Sequence, residues 1–341
     1  MRILVTGGAG FVGTNVASHF ASEGHQVVVL DNLSRRGVAA NRDWLLRHHP
    51  SIEFIEGDIR DPQAVARVVR GADRVFHLAA QVAVTTSVTD PQSDFEINLT
   101  GTFNMLEALR QHAPRATFFF TSTNKVYGGL EDLNVVRQGE RYAFETQPEG
   151  VSEERVLDFH SPYGCSKGAA DQYVRDYARI YGLKTVVFRM SCIYGPHQCG
   201  NEDQGWVAHF AREALAGGGL SIFGDGRQVR DILYVQDLVR AFAAAAEASD
   251  VTAGQIYNIG GGPENAISLL ELISELEEIT GRTIRTTFQD WRPGDQRIYV
   301  TNVSRAYREF GWRPEISKRA GLRQLVEFLR AGSEAAASVS G

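Results

Sequence analysis

The stretch Val5-Thr6-Gly7-Gly8-Ala9-Gly10-Phe11-Val12-Gly13 decides how this chain folds. It follows a short apolar run, Ile3-Leu4-Val5, and opens a segment with helical spacing over about 11–24. Glycines between a strand and a helix permit a tight turn and a close backbone approach, and the helix N-terminus favours an anion such as a pyrophosphate. The spacing is GxxGxxG through Gly7, Gly10 and Gly13, and the physics is that of the GxGxxG dinucleotide turn. Asp31 closes the next strand-like run, Val27-Val28-Val29-Leu30. A carboxylate there accepts hydrogen bonds from an adenosine ribose and repels a 2′-phosphate, so NAD is expected rather than NADP. Arg35 and Arg36 pull the other way, since a guanidinium past the second strand can grip a 2′-phosphate.

Working outward, further short runs read as strands: Ile52-Glu53-Phe54-Ile55, Val75-Phe76, Thr117-Phe118-Phe119-Phe120 and Thr185-Val186-Val187-Phe188. Helical spacing fills the intervals near 38–49, 62–71, 91–113 and 164–182. Alternation of this kind predicts an α/β fold, a doubly wound parallel sheet of Rossmann type with helices on both faces. Beyond residue 189 glycine-rich loops take over, followed by helices near 235–248 and 268–281. The expected organisation is a dinucleotide-binding domain over 1–188 with a returning segment at 229–258. A smaller α/β substrate lobe would take 189–228 and 259–331, and 332–341 would form a flexible tail. A cleft between the two parts is the expected ligand site.

Composition narrows the function classes. The 341 residues include 35 Lys+Arg against 41 Asp+Glu, a formal net charge of −6, which argues against a nucleic-acid surface. No stretch approaches the roughly 18 apolar residues of a membrane span, so no membrane partner is expected. Cys165, Cys192 and Cys199 form no CxxC pair, and no secretion signal precedes the first strand pattern; a soluble protein of the reducing cytoplasm is the expectation. His160 and His197 lack partners at metal-ligand spacing, so no metal site is assigned.

The strongest chemical signal is Ser161-Pro162-Tyr163-Gly164-Cys165-Ser166-Lys167. An i, i+4 spacing stacks Tyr163 and Lys167 on one helix face, where an ammonium and a nicotinium charge would both favour phenolate and make Tyr163 a base for a hydroxyl proton. Lys167 would also hold the nicotinamide ribose. Thr123 closes the fifth strand in Thr121-Ser122-Thr123-Asn124-Lys125-Val126-Tyr127-Gly128, where parallel sheets present their ligands, and is the candidate to hydrogen-bond the reacting hydroxyl. The turns Gly57-Asp58-Ile59 and Leu78-Ala79-Ala80-Gln81 fall where adenine and ribose contacts would sit.

These residues together resemble an extended short-chain dehydrogenase/reductase of the nucleotide-sugar epimerase/dehydratase family, over nearly the whole chain. Longer strings, Asp31-Asn32-Leu33-Ser34-Arg35-Arg36-Gly37, Ala80-Gln81-Val82-Ala83-Val84-Thr85 and Asp203-Gln204-Gly205-Trp206-Val207, are similar to the branch that inverts C2 of CDP-hexoses. The resemblance implies a tightly held NAD contacted by Gly7, Gly10, Phe11, Val12, Gly13, Asp31, Asn32, Ser34, Arg35, Asp58, Ile59, Leu78, Ala79, Ala80, Gln81, Asn98, Thr121, Tyr163 and Lys167. It implies Thr123, Tyr163 and Lys167 as the catalytic set, with Val84, Thr123, Asn124, Met190, Cys192 and Gln204 against the substrate. Arg230 and Arg292 match positions that bind a diphosphate, and Asp295 one that could accept from the nucleotide ribose. The family's 4,6-dehydratases carry Asp-Glu after the active-site Thr, whereas this chain has Asn124-Lys125, which disfavours dehydration. The implied product is a C2-inverted CDP-sugar made through a transient keto-sugar. A UDP-sugar 4-epimerase, a keto-sugar reductase and a dinucleotide sensor without turnover are the alternatives. A homodimer through helices near 91–113 and 164–182 is implied by the same likeness.

Overall fold

The computed structural model describes residues 1–201, 204–292 and 296–339. Its strands are β1 (Arg2–Thr6), β2 (Gln26–Asp31), β3 (Glu53–Glu56), β4 (Arg74–His77), β5 (Thr117–Thr123), β6 (Val135–Gln138), β7 (Arg141–Phe144) and β8 (Lys184–Met190). They continue as β9 (Cys192–Tyr194), β10 (Gly219–Phe223), β11 (Val229–Tyr234), β12 (Gln255–Ile259), β13 (Ala266–Ser268), β14 (Arg285–Gln289) and β15 (Ile298–Tyr299). Seven of them form one parallel sheet in the order β12-β8-β5-β4-β1-β2-β3, as the strand-helix alternation predicts.

Both faces of this sheet are buried, which is why its strands read as near-continuous apolar runs. Successive side chains of β5 serve opposite sides: Phe119 joins Phe20, Phe76, Phe188 and Phe242 in one core layer, while Phe118 and Phe120 join Leu4, Val75, Leu106 and Val187 in the other. Each buried phenylalanine contributes about 1.5–3 kcal/mol. The order of strands reverses at β1 and β4, whose carboxyl ends open a crevice where α/β folds bind ligands. The glycine turn after β1 and the Leu78–Gln81 segment after β4 both lie there.

The helix Ser161–Tyr181 carries Pro162 in its first turn and stops at Gly182, whose φ of 68° suits glycine. Its Asp171 forms a two-pronged ion pair with Arg189 of β8, at 2.9 Å for both Nε and Nη2. Ser122 of β5 donates to the same carboxylate at 2.7 Å. This cluster fixes the helix that bears Tyr163 and Lys167 against the two strands behind it.

Several features depart from the sequence reading. Val229–Tyr234, expected to return to the first domain, pairs instead with β9, β13 and β15. The return begins at helix Val235–Glu247, and β12, which the reading did not single out, then joins the central sheet as its edge. The helical pattern over 91–113 breaks into Pro91–Phe95, a π turn at Glu96–Thr100 and Gly101–His112. The hairpin β6–β7 was not expected; its half-exposed residues lack an apolar run. The last helix extends over Lys318–Val339, through most of the segment expected to be a flexible tail, in keeping with the strong helix propensity of its alanines.

Replacing Asp171 with Ala leaves Arg189 buried and unpaired. We expect a loss of about 3–5 kcal/mol in denaturant unfolding. A loss under about 1 kcal/mol would contradict the structural role given to this pair.

Candidate active site

Gly7 adopts φ +66°, and a Cβ built on it would lie 2.7 Å from the backbone nitrogen of Ala79. A Cβ on Gly13 would lie 2.2 Å from the Gly7 carbonyl oxygen. Neither position admits a side chain. Gly7 N–H donates to Leu30 O at 2.8 Å, and the helix Phe11–Ser22 begins at Gly10 with no side-chain cap. Its first amides are therefore open to an anion.

Beside this turn lies a cavity of about 330 Å³, lined by Gly7, Gly10, Asp31, Asn32, Ser34, Arg35, Asp58, Ile59 and Leu78 through Gln81. Asp31 accepts from Ala9 N at 3.1 Å and from Leu33 N at 2.9 Å, which ties β2 to the glycine turn. Burial raises its pKa against those backbone bonds and the Arg35 charge. Asp58 is held low, at about 2, chiefly by the hydrogen-bonding Arg60 guanidinium, and accepts from Asn32 Nδ2 at 2.8 Å. The side-chain-free turn, the uncapped helix and the carboxylate ending β2 all fit a dinucleotide whose ribose hydroxyls donate to Asp31.

Not every expected cofactor residue faces this cavity. Val12 packs its side chain against the core, so only its backbone is left to serve a ligand. Phe11 lines a smaller neighbouring pocket with Arg35, Arg36 and Cys199. Thr121 donates to His77 O at 3.1 Å within the sheet. Asn98 grips Gln81 from behind, accepting from its N–H and donating to its carbonyl, each at 3.0 Å. Gln204, expected at the substrate, hydrogen-bonds Arg35 at the rim of the dinucleotide cavity.

Thr123 ends β5, where its hydroxyl accepts from Lys125 N at 3.2 Å and donates to Asn124 Oδ1 at 3.4 Å, and its influence on the Tyr163 phenol favours the phenolate. Tyr163 is buried in the first turn of its helix, and its backbone N–H donates to Ser87 Oγ at 3.1 Å. The Lys167 ammonium lies 4.2 Å from the centroid of the Phe120 ring. Burial pushes Lys167 down to about 7 against the charges of Asp171 and Asp94. The Lys167 charge is not among the causes that shift the Tyr163 pKa. Burial pushes the phenol up to about 12, Thr123 opposing it, and the charges that act on it are Asp94 and Arg35. Lys167 instead spends its charge on the Phe120 face and the two aspartates.

Of the described residues expected at the substrate, Val84 alone lines a second cavity of about 590 Å³, together with Lys125, Gly128, His160, Ser161, Gln296 and Arg297 among others. Ala83 lines the first cavity and Val84 the second, so the two are neighbours. Lys125 Nζ donates to Gln296 Oε1 at 3.1 Å, and Asn124 starts the short helix beside it. Burial pushes the Cys192 thiol up, with Arg230 opposing and Trp206 hydrogen-bonding it, so Cys192 is no thiolate at neutral pH. Arg292 stacks 3.9 Å over Phe223. Met190 packs against the core. Asp295 lies outside the described residues, among which no group of three His, Cys, Asp or Glu could hold a metal. Gln296, Ser87 and Asp94 were not assigned from sequence; nothing in their spacing marks them, although Gln296 sits in the string Arg292-Pro293-Gly294-Asp295-Gln296-Arg297.

A model of the NAD dependent epimerase/dehydratase family matches residues 3–260. The chain belongs to that family. The CDP-paratose 2-epimerase of Salmonella typhi is 44% identical over 336 residues, covering 96% of this chain and 99% of that protein. The UDP-glucose 4-epimerase of Mycolicibacterium smegmatis is 34% identical, covering 98% of this chain and all of its own length (100%). Among solved structures, a Thermotoga maritima UDP-glucose 4-epimerase with UDP-glucose superposes with a TM-score of 0.85 at 34% identity, over 98% of this chain and 100% of that one. A Thermus thermophilus UDP-glucose 4-epimerase in complex with NAD gives 0.81 at 33%, over 97% and 99%. As a member of the family the chain uses NAD, as the cradle at Gly7, Gly13 and Asp31 leads one to expect.

The contacts at Gly13 set a test of the cradle. Gly13→Ala must move the glycine turn, and we expect purified protein to lose most of its NAD, read from the absorbance of a perchloric-acid extract, with a stability cost of about 1–3 kcal/mol. Full NAD occupancy in a folded variant would contradict the assignment.

Proposed function

We propose that the protein inverts C2 of a CDP-hexose of the paratose/tyvelose type, with no net redox change. The observation that carries this reading is Thr123 at the end of β5, acting on the Tyr163 phenol and followed by Asn124-Lys125 rather than by carboxylates. The first two groups suit proton transfer at a sugar hydroxyl. The next two offer no carboxylic acid to expel a 6-hydroxyl, so the oxidised sugar has inversion open to it rather than elimination. The near full-length similarity to a CDP-paratose 2-epimerase supports the choice of C2 and of a cytidine diphosphate.

Bound NAD would supply a reversible hydride acceptor and a cationic ring that favours the phenolate. Tyr163 takes the proton of the C2 hydroxyl as that carbon becomes a ketone, and returns it when the opposite face is reduced. Thr123 holds the same oxygen. Arg230 and Arg292 are our diphosphate ligands, and Val84 and Lys125 border the sugar. We read residues 1–188 with 229–258 as the dinucleotide part, its β11 excepted, and the remainder to 331 as the sugar-nucleotide lobe. We also propose a homodimer, supported by the exposed Phe103, Tyr173, Ile180 and Tyr181 on the two helices concerned. The three unpaired cysteines favour a cytoplasmic location.

Tyr163→Phe keeps the ring and removes the proton acceptor. Turnover of CDP-paratose followed by proton NMR should fall by roughly 10²–10⁴-fold with NAD retained; near-normal turnover would overturn the assignment.

A further inference from the structure

Asp94 is fully buried in the short helix Pro91–Phe95, two residues before the π turn Glu96–Thr100 begins. Three donors converge on its carboxylate: Ser166 Oγ at 2.5 Å, Gln81 Nε2 at 2.8 Å and Asn98 Nδ2 at 3.1 Å. Among the described residues it is in no ion pair. A carboxylate withdrawn from water is costly unless hydrogen bonds and a nearby cation compensate, and a site made of donors favours its ionised form. Burial raises the Asp94 pKa, against these three hydrogen bonds and the charge of Lys167.

In attracting Lys167, Asp94 shares the role with Asp171. On the helix Ser161–Tyr181, Asp171 is the larger attraction on Lys167 and also pairs with the two-pronged Arg189 guanidinium, whereas Asp94 has no such partner among the described residues. Tyr163 on that helix feels both Asp94 and Arg35. On β4, His77 sits between Thr6 and Thr102 hydroxyls and stays neutral, its pKa pushed to about 3 by burial and by Lys167. The same three donors tie Asp94 to both halves of the site. Ser166 directly precedes Lys167, and Gln81 and Asn98 form the clamp behind the dinucleotide cavity. Placement of the lysine and of the cavity wall thus converge on one carboxylate.

We propose that Asp94 is a positioning residue whose buried, triply hydrogen-bonded carboxylate keeps Lys167 in its ammonium form and locks the Gln81 segment beside it. The proposal rests on the reading of Tyr163 and Lys167 as the proton-transfer pair. The sign follows from the site: burial lowers the Lys167 pKa, and the negative charge of Asp94 raises it. Neutralising Asp94 therefore lets Lys167 lose its proton at lower pH.

The chain has only four lysines, Lys125, Lys167, Lys184 and Lys318, so lysine labelled with 13C at Cε resolves each of them by NMR. The protein as purified, labelled in this way, is titrated together with Asp94→Asn, and the Lys167 signal is identified by its loss in Lys167→Arg. We expect the Lys167 titration in Asp94→Asn to move to lower pH by about one unit or more. The alkaline limb of kcat/KM for CDP-paratose should move in the same direction, while Ser166→Ala, which keeps the charge, leaves the Lys167 midpoint within a few tenths of a unit. An unchanged Lys167 midpoint in folded Asp94→Asn overturns the proposal. Because an amide at position 94 faces three donors, Asp94→Asn combined with Ser166→Ala removes one of them and replaces the single variant if that does not fold. The NMR titration reads Lys167 whether or not the sugar is the right one, so failure of the substrate reading would show only in the kinetic arm.

Discussion

The reversal of strand order between β1 and β4 is the constraint from which the site follows. It opens one crevice at the carboxyl ends of the sheet, and the backbone of the Gly7 turn meets that of Ala79 across it so closely that no Cβ fits. Once these two loops touch, the first helix points its uncapped N-terminus into the crevice and Asp31 reaches back to the turn. The π turn after Asp94 sets the clamp behind Gln81. The helix that bears Tyr163 and Lys167 is fixed from the other side by the Asp171–Arg189–Ser122 cluster. Specificity for a dinucleotide is thus written mainly in backbone geometry, and that geometry depends on a few glycines.

Desolvation then decides the chemistry. Tyr163 and Lys167 are both buried, and burial drives their pKa values apart, the phenol up to about 12 and the ammonium down to about 7. At neutral pH the phenol is therefore neutral and the ammonium close to half protonated, and modest local charges acquire leverage over the pair. The cationic ring of a bound NAD would pull the tyrosine toward phenolate, and the aspartates hold the lysine toward ammonium. This division of labour explains why the site keeps a carboxylate at Asp94 despite its cost.

Much of this was legible in the sequence, because the parts that carry the fold have strong local signals. The glycine turn, the apolar runs of β1 to β5 and the Tyr163–Lys167 spacing are each dictated by backbone sterics or by helical period, and each is found where it was read. What escaped has no local signature. β12 is an edge strand whose partner lies about seventy residues earlier, and β11 looks like any buried strand until its neighbours are known. The π turn is a one-residue irregularity within an otherwise helical pattern. Asp94 is a polar residue in a helical stretch whose meaning depends on Ser166 and Gln81 arriving from elsewhere. That the Lys167 ammonium turns to the Phe120 ring also escaped, because i, i+4 spacing gives adjacency along the helix but says nothing of burial or of what the side chain meets.

The central claim is that the hydrogen leaving the sugar carbon returns to that same carbon on its other face, within one closed site. The most direct measurement uses CDP-paratose carrying deuterium at C2, incubated in ordinary water with protein to which no cofactor has been added, with product followed by NMR and mass spectrometry. The account predicts C2-inverted product that keeps its deuterium and gains no solvent hydrogen there. Loss of the label to water, or inversion at C4 with C2 untouched, would contradict it.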